Sequence, residues 1–275
     1  MFLFCLQSLC LRRNKITKIE NLSTLTTLEE LDLYDNQIAK IENIDQLTEL
    51  IILDLSFNVV KVIENLETLT KVEKLFLVQN KISKIENLDT LVNVQMLELG
   101  ANKIRVLEGL ENFTKLESLF IGKNKITALQ NMDSLVNLKT LSIQGTIMYC
   151  FPQSNRIVEL KGLDCLVNLE ELYISHNGIE EIQGLDKLVK LTTLDLASNR
   201  ISRIKNVSLL VNLEEFWFND NKLADWEDLN ELKNCKLTTL YLERNPLYFE
   251  AGTAYRRKVK LALPGLKQID ATLCG

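Results

Sequence analysis

The sequence predicts a solenoid of the α/β repeat class, a stack of short coils sharing one parallel sheet. Three observations predict it. The stretch LEELDLYDNQIAKIENIDQLTE, Leu28 to Glu49, is followed by LIILDLSFNVVKVIENLETLTK from Leu50 and VEKLFLVQNKISKIENLDTLVN from Val72, so the chain restarts every 22 residues. An asparagine recurs in one register: Asn14, Asn36, Asn58, Asn80, Asn102, Asn124, Asn155, Asn177, Asn199, Asn221 and Asn245. Apolar residues keep their places from copy to copy, the mark of a repeat architecture rather than of a single globular core.

Within one copy each element follows from its residues. Leu31 and Leu33 alternate with Glu30, Asp32 and Tyr34, the period of two expected of a short strand with one buried face. Asn36 turns the chain out of that strand, and its amide can satisfy backbone groups that the turn leaves unpaired. Stacked once per copy, the asparagines predict a ladder. Ile38, Ile41, Ile44 and Leu47 follow at spacings of three, which suits a short 3₁₀ or helical return on the convex side. One copy cannot bury these side chains alone. Burial between coils is worth roughly 1.5–3 kcal/mol per leucine or isoleucine. The frame L-x-x-L-x-L-x-x-N-x-I is that of the leucine-rich repeat.

The chain begins inside a copy. Residues 1–14 read MFLFCLQSLCLRRN, an apolar run with no preceding positive charge and no small-residue cleavage site, so a signal peptide is not expected. Leu6, Leu9, Leu11 and Asn14 fit the repeat frame instead, and an absent N-terminal part is the expectation. Copies run without fault through Asn124. The next asparagine of the ladder, Asn155, is 31 residues on, nine more than the period, and deleting Gly145–Gln153 (GTIMYCFPQ) restores the register. A bulging surface loop and an unremoved intron both account for that excess. After Asn221 the spacing becomes 24, allowing one longer convex helix. Residues 1–244 thus read as a solenoid of about eleven repeats, counting the last strand. Residues 245–275 read as a C-terminal cap, with Tyr255, Val259 and Leu263 on one helical face and Arg256, Arg257 and Lys258 facing water.

Composition narrows the function. With 46% hydrophobic residues, 10 Gly and 3 Pro, the chain leaves no room for a linker. Its net charge of -5 argues against a nucleic-acid partner, which wants a basic face. The six cysteines form no C-x-x-C pair, so no metal or disulfide framework is expected and a reducing compartment suits them. Asn21, Asn112 and Asn206 head tripeptides of the glycosylation type, a pattern that arises by chance in an asparagine-rich repeat. Catalytic motifs are absent, and His176, beside Asn177, reads as a turn residue. No enzyme activity, cofactor, metal or membrane contact is expected, and the chain should be monomeric apart from its partner.

The informative positions face outward on the concave sheet, four residues before each asparagine. In order they are Cys10, Asp32, Asp54, Phe76, Glu98, Phe120, Ser142 (counted without the nine-residue excess), Tyr173, Asp195, Trp217 and Tyr241. Five of these eleven are aromatic in a chain that is 7% aromatic, and four more are acidic. The column two residues later is mostly small, as at Ser56, Gly100, Gly122, Ser175 and Ala197. Strand propensity alone does not account for Asp32 beside Asp54, since like charges on neighbouring strands repel. Aromatic anchors among charges are what protein interfaces use. The row is about 45 Å long before curvature, which fits a folded protein partner with a basic, pocketed face.

Several segments are more specific than the frame. LDLYDNQI, LFLVQNKISKIENL, LESLFIGKNKIT, ELYISHNGIE, EEFWFNDNKL, YLERNPL and YRRKVKLALPGLKQIDAT together resemble the family of protein phosphatase 1 regulatory subunit 7. The resemblance implies a regulatory subunit that binds the serine/threonine phosphatase catalytic subunit through its concave face. It also implies control of that enzyme's maturation and activity in nucleus and cytoplasm. The family's interface carries over onto Asp54, Phe76, Glu98, Phe120, Asp195, Glu215, Trp217 and Tyr241. Two departures stand out: the family has an acidic N-terminal segment and further sequence before this start, and it lacks the nine-residue excess. A ciliary or dynein-associated repeat scaffold is the alternative, since such proteins share the period and a similar cap. An extracellular recognition receptor is a third.

Overall fold

The computed structural model describes residues 6–145 and 155–274. Eleven three-residue strands follow one another: β1 Ser8–Cys10, β2 Glu30–Asp32, β3 Ile52–Asp54, β4 Lys74–Phe76, β5 Met96–Glu98, β6 Ser118–Phe120, β7 Thr140–Ser142, β8 Glu171–Tyr173, β9 Thr193–Asp195, β10 Glu215–Trp217 and β11 Thr239–Tyr241. Each pairs in parallel with the next in sequence, so spatial order equals chain order. The register places equivalent residues side by side, as with Leu31↔Leu53 and Leu53↔Leu75. The inward leucines and isoleucines of one coil, Leu28, Leu31, Ile38, Ile41, Ile44 and Leu47, are fully buried against their counterparts above and below.

The asparagine ladder holds the coils in that register. Asn58 Nδ2 donates to Leu33 O of the preceding coil (3.0 Å) and to Leu55 O of its own (3.1 Å), while its Oδ1 accepts from Ile38 N–H (2.9 Å). Asn80, Asn102 and Asn124 repeat the pattern. Among the described residues, the one before each ladder asparagine is left-handed, as at Asp35 (φ 55), Gln79 (φ 54) and His176 (φ 56). Such a conformation costs roughly 1–2 kcal/mol in a non-glycine residue, which the following amide's several bonds offset. His176 is the turn residue its position predicts.

The convex return differs from the expected short helix. Leu47 N–H bonds Ile44 O (3.0 Å) and Leu50 N–H bonds Leu47 O (3.1 Å), so the chain takes discrete turns that meet at a buried corner residue. The reason lies at Asn43, φ 58, whose left-handed backbone cannot belong to a right-handed helix and whose Nδ2 donates to Ile19 O of the preceding coil (2.7 Å). Asn65, Asn87, Asn131 and Asn206 do the same. Among the described convex returns a 3₁₀ helix forms at Trp226–Leu232, within the 24-residue copy. There Asp228 replaces the left-handed asparagine and accepts three bonds from Arg203 and one from Ile204 N–H.

Asn155 resumes the ladder after the nine-residue excess, accepting from Ile126 N–H (2.9 Å), and Gly145 N–H bonds Ser175 O (2.9 Å). Apart from Gly145, the excess segment lies outside the described residues, as do residues 1–5. Beyond β11 the chain forms α1 Pro246–Ala251 and α2 Tyr255–Ala262, then β12 Gln268–Ile269, parallel to β11, and an antiparallel β13 Thr272–Leu273. Tyr255, Val259 and Leu263 are buried, as their spacing predicts. Arg256 does not face water: its guanidinium donates to Ile269 O (2.7 Å), Thr272 O and Leu273 O (3.3 Å each), because β12 and β13 fold back across α2. Arg257 is exposed, and the Lys258 ammonium stands 4.9 Å over the Trp226 ring.

Candidate protein-interaction face

Strand pleating sets the face. Leu53, Leu75, Leu97 and Leu119 point into the core, so their neighbours Asp54, Phe76, Glu98 and Phe120 point out of the concave sheet. Register then lines these neighbours up across β3–β6: Asp54↔Phe76, Phe76↔Glu98, Glu98↔Phe120. Ser142 on β7 follows, and Tyr173, Asp195, Trp217 and Tyr241 continue across β8–β11. Glu215 opens β10, two residues before Trp217, and shares its face. The expected residues thus form two groups, one acid–ring–acid–ring and one centred on aromatic rings, separated by a serine.

In the second group Trp217 lies edge-on to Tyr241, centroids 5.7 Å apart, and to Tyr173 at 6.3 Å. Its indole Nε1 is shielded and has no hydrogen-bond partner among the described residues. Tyr173 belongs to this cluster although the family resemblance did not select it; its place in the row was the available signal. Burial, aided by nearby Glu171, pushes its phenol up to about 12. Lys123, His176, Asp195, Trp217, Tyr241 and Arg244 line one hollow on this part of the face.

The aspartates depart from expectation. Asp195 is 2% exposed, and its carboxylate accepts from Ala197 N–H (3.0 Å) and Gln144 Nε2–H (3.2 Å). It does not stand free for a partner's cation. Asp32 and Asp54 make the same local bond, to Tyr34 N–H (3.1 Å) and Ser56 N–H (2.8 Å). The Asp32–Asp54 pair also has a counter-ion, because Arg12 bonds Asp32 through Nε and reaches Asp54 at 3.8 Å. That neighbouring pair of like charges therefore has a structural explanation after all. Burial raises the carboxyl pKa of Asp54, Glu98 and Asp195 above the ordinary range, with Ser56 and Ala197 N–H opposing the shift at the two aspartates. Glu98 and Glu215 are half-buried and form no side-chain hydrogen bond among the described residues, so both are open to a partner.

Two of the glycosylation-type asparagines are already engaged: Asn206 Nδ2 donates to Ile182 O (2.8 Å) and Asn112 Nδ2 to Asp89 O (3.2 Å). Among the described residues no group of three His, Cys, Asp or Glu side chains is placed to hold a metal ion, and no helix is long and apolar enough to cross a membrane.

Known proteins bear on the fold. The family described as Leucine Rich repeats (2 copies) matches residues 6–46 and 167–210. Protein phosphatase 1 regulatory subunit 7 of Danio rerio is 62% identical over 48 residues, 17% of this chain and 13% of that one. Its Homo sapiens counterpart is 59% identical over 51 residues, 18% and 14%. The alignments thus span about one seventh of the length of these relatives. Among solved structures, the functional domain of InlJ from Listeria monocytogenes superposes with a TM-score of 0.75 at 22% identity, covering 98% of this chain and 63% of its own. A leucine-rich-repeat protein of Leptospira interrogans gives 0.74 at 24%, covering 95% and 71%. Those two likenesses show the fold alone. The chain has the leucine-rich-repeat fold, and the relatives named over the stretch it shares with them are protein phosphatase 1 regulatory subunits.

Proposed function

We propose that this chain is a non-enzymatic regulatory subunit whose concave row docks the catalytic subunit of protein phosphatase 1 and controls its activity or maturation, in nucleus and cytoplasm. One observation carries the reading: rings and carboxylates stand in register across β3–β11 of the concave sheet. Phe76, Phe120, Trp217 and Tyr241 fill apolar pockets of the partner. Glu98 and Glu215 meet its lysines or arginines, and Asp54 joins them by exchanging Arg12 for a partner cation. Asp195 acts from beneath, holding the floor under Trp217 and Tyr173 rather than reaching outward. The names of the relatives support the choice of partner, and the periodicity supports a binding scaffold over a catalyst. Affinity capture of the purified catalytic subunit by the wild-type chain and by a Trp217→Ala/Phe120→Ala variant tests the reading. Capture by wild type and loss by the variant is expected; equal capture by both overturns the site assignment.

A further inference from the structure

Over three successive coils one rim of the solenoid carries a run of cations. Directly after each ladder asparagine stands a residue whose backbone is fixed to the preceding coil: Lys81 N–H donates to Val60 O (2.8 Å), Lys103 N–H to Ile82 O (2.7 Å) and Lys125 N–H to Ile104 O (2.8 Å). Those bonds set three lysines side by side, one strand spacing of about 4.8 Å apart. Arg105 and Lys123 lie two residues away on the same coils, and the stretches 79–85, 101–107 and 123–129 contain no Asp or Glu. Four of the five cations are exposed and Lys125 is half-buried. Among the described residues, none of the five forms an ion pair or a side-chain hydrogen bond. On the opposite rim the same coils carry exposed acids, Asp89, Glu111 and Asp133.

Like charges held this close without counter-ions repel one another, and the repulsion is relieved when an anion settles along them. The chain as a whole is at -5, so this positive strip is a local segregation rather than a basic protein's background. We infer that the rim formed by Lys81, Lys103, Arg105, Lys123 and Lys125 is a docking strip for an extended acidic polypeptide segment. The three coils span about 10 Å, the reach of some three or four extended residues. A polynucleotide fits less well. The strip is short, and the carboxylates of Glu98 and Asp54 on the adjoining concave face would repel a phosphate backbone continuing across it. The strip borders the strands bearing Phe76 and Phe120, so an acidic segment could lie here while a folded partner fills the concavity. The inference holds whichever protein that partner is.

Fluorescence anisotropy of a labelled octaglutamate peptide on the full chain, at low and physiological salt, tests it. Saturable binding is expected, reduced about tenfold or more at low salt by Lys81→Glu/Lys103→Glu/Lys125→Glu and weakened by added salt. A second variant with glutamine at the same three positions, showing a smaller loss, separates loss of charge from misfolding. The reversed-charge control Lys115→Glu/Lys190→Glu/Lys236→Glu, on the other rim, should bind like wild type. Equal loss in that control, absence of binding by wild type, or tighter binding of an octathymidylate strand would each overturn the inference.

Discussion

Trp217 and Tyr241 occupy the same position on neighbouring parallel strands, and their rings meet edge to face with centroids 5.7 Å apart. The contact prepays part of the ordering that a partner would otherwise impose on two large side chains. The indole N–H has no hydrogen-bond partner among the described residues. Trp217→Ala should therefore weaken phosphatase binding by about 2–4 kcal/mol, measured by titration calorimetry, with little change in urea stability. Trp217→Phe should retain most of the affinity, because it keeps an aromatic ring beside Tyr241.

The ladder makes a separate prediction about stability. Asn102 supplies Leu77 O and Leu99 O with a donor and Ile82 N–H with an acceptor, all buried. Asn102→Ala strands those groups, so urea unfolding should show a loss of about 2–4 kcal/mol. Because each coil contacts only its neighbours, amide exchange should quicken first on the coils flanking position 102.

Asp195 predicts a pH dependence. Its carboxyl pKa is raised in the fold, chiefly by burial. A group raised in this way favours the folded state most when protonated; that contribution is complete below the unfolded value and is lost as pH climbs through the folded one. Asp195→Asn keeps an oxygen for Ala197 N–H and removes the buried charge. The variant should match wild type near pH 3.5, exceed it at pH 7, and show a flatter stability curve between. Equal curves for the two proteins would count against this account of the burial.

At the C-terminal end Asp270 Oδ1 accepts from Leu242 N–H (2.8 Å) and Glu243 N–H (3.0 Å), with Tyr255 OH at 3.3 Å. It does for the last coil what the asparagines do for the others. Asp270→Ala should cost about 2–3 kcal/mol and expose the amides of Leu242 and Glu243 to fast exchange. Val259, buried on the facing helix, should lose protection in the same experiment.

The architecture was legible because periodicity is a property of the sequence itself: the leucines at 31, 53 and 75 announce their own stacking. The convex turns were less so. Ile38, Ile41, Ile44 and Leu47 suit a helix as well as a series of separate bends, and the deciding fact is the left-handed backbone of Asn43. The concave row could be placed to the residue, yet the state of its carboxylates could not. Arg12 lies 20 residues before Asp32, and only the coiling brings its guanidinium across to that side chain. Arg256 was misplaced for a related reason, since the two short strands that take up its guanidinium lie beyond the helix and carry no pattern of their own.

Register between coils has a mechanical corollary. With one asparagine bolting every turn to the next, the strand-to-strand interval works as a ruler whose graduations do not shift when the lettering on them is altered. A mutation at Phe76 or Glu98 rewrites a single mark, and the marks to either side stay where they were. Partner choice can then drift mark by mark, without the scaffold having to be re-evolved each time.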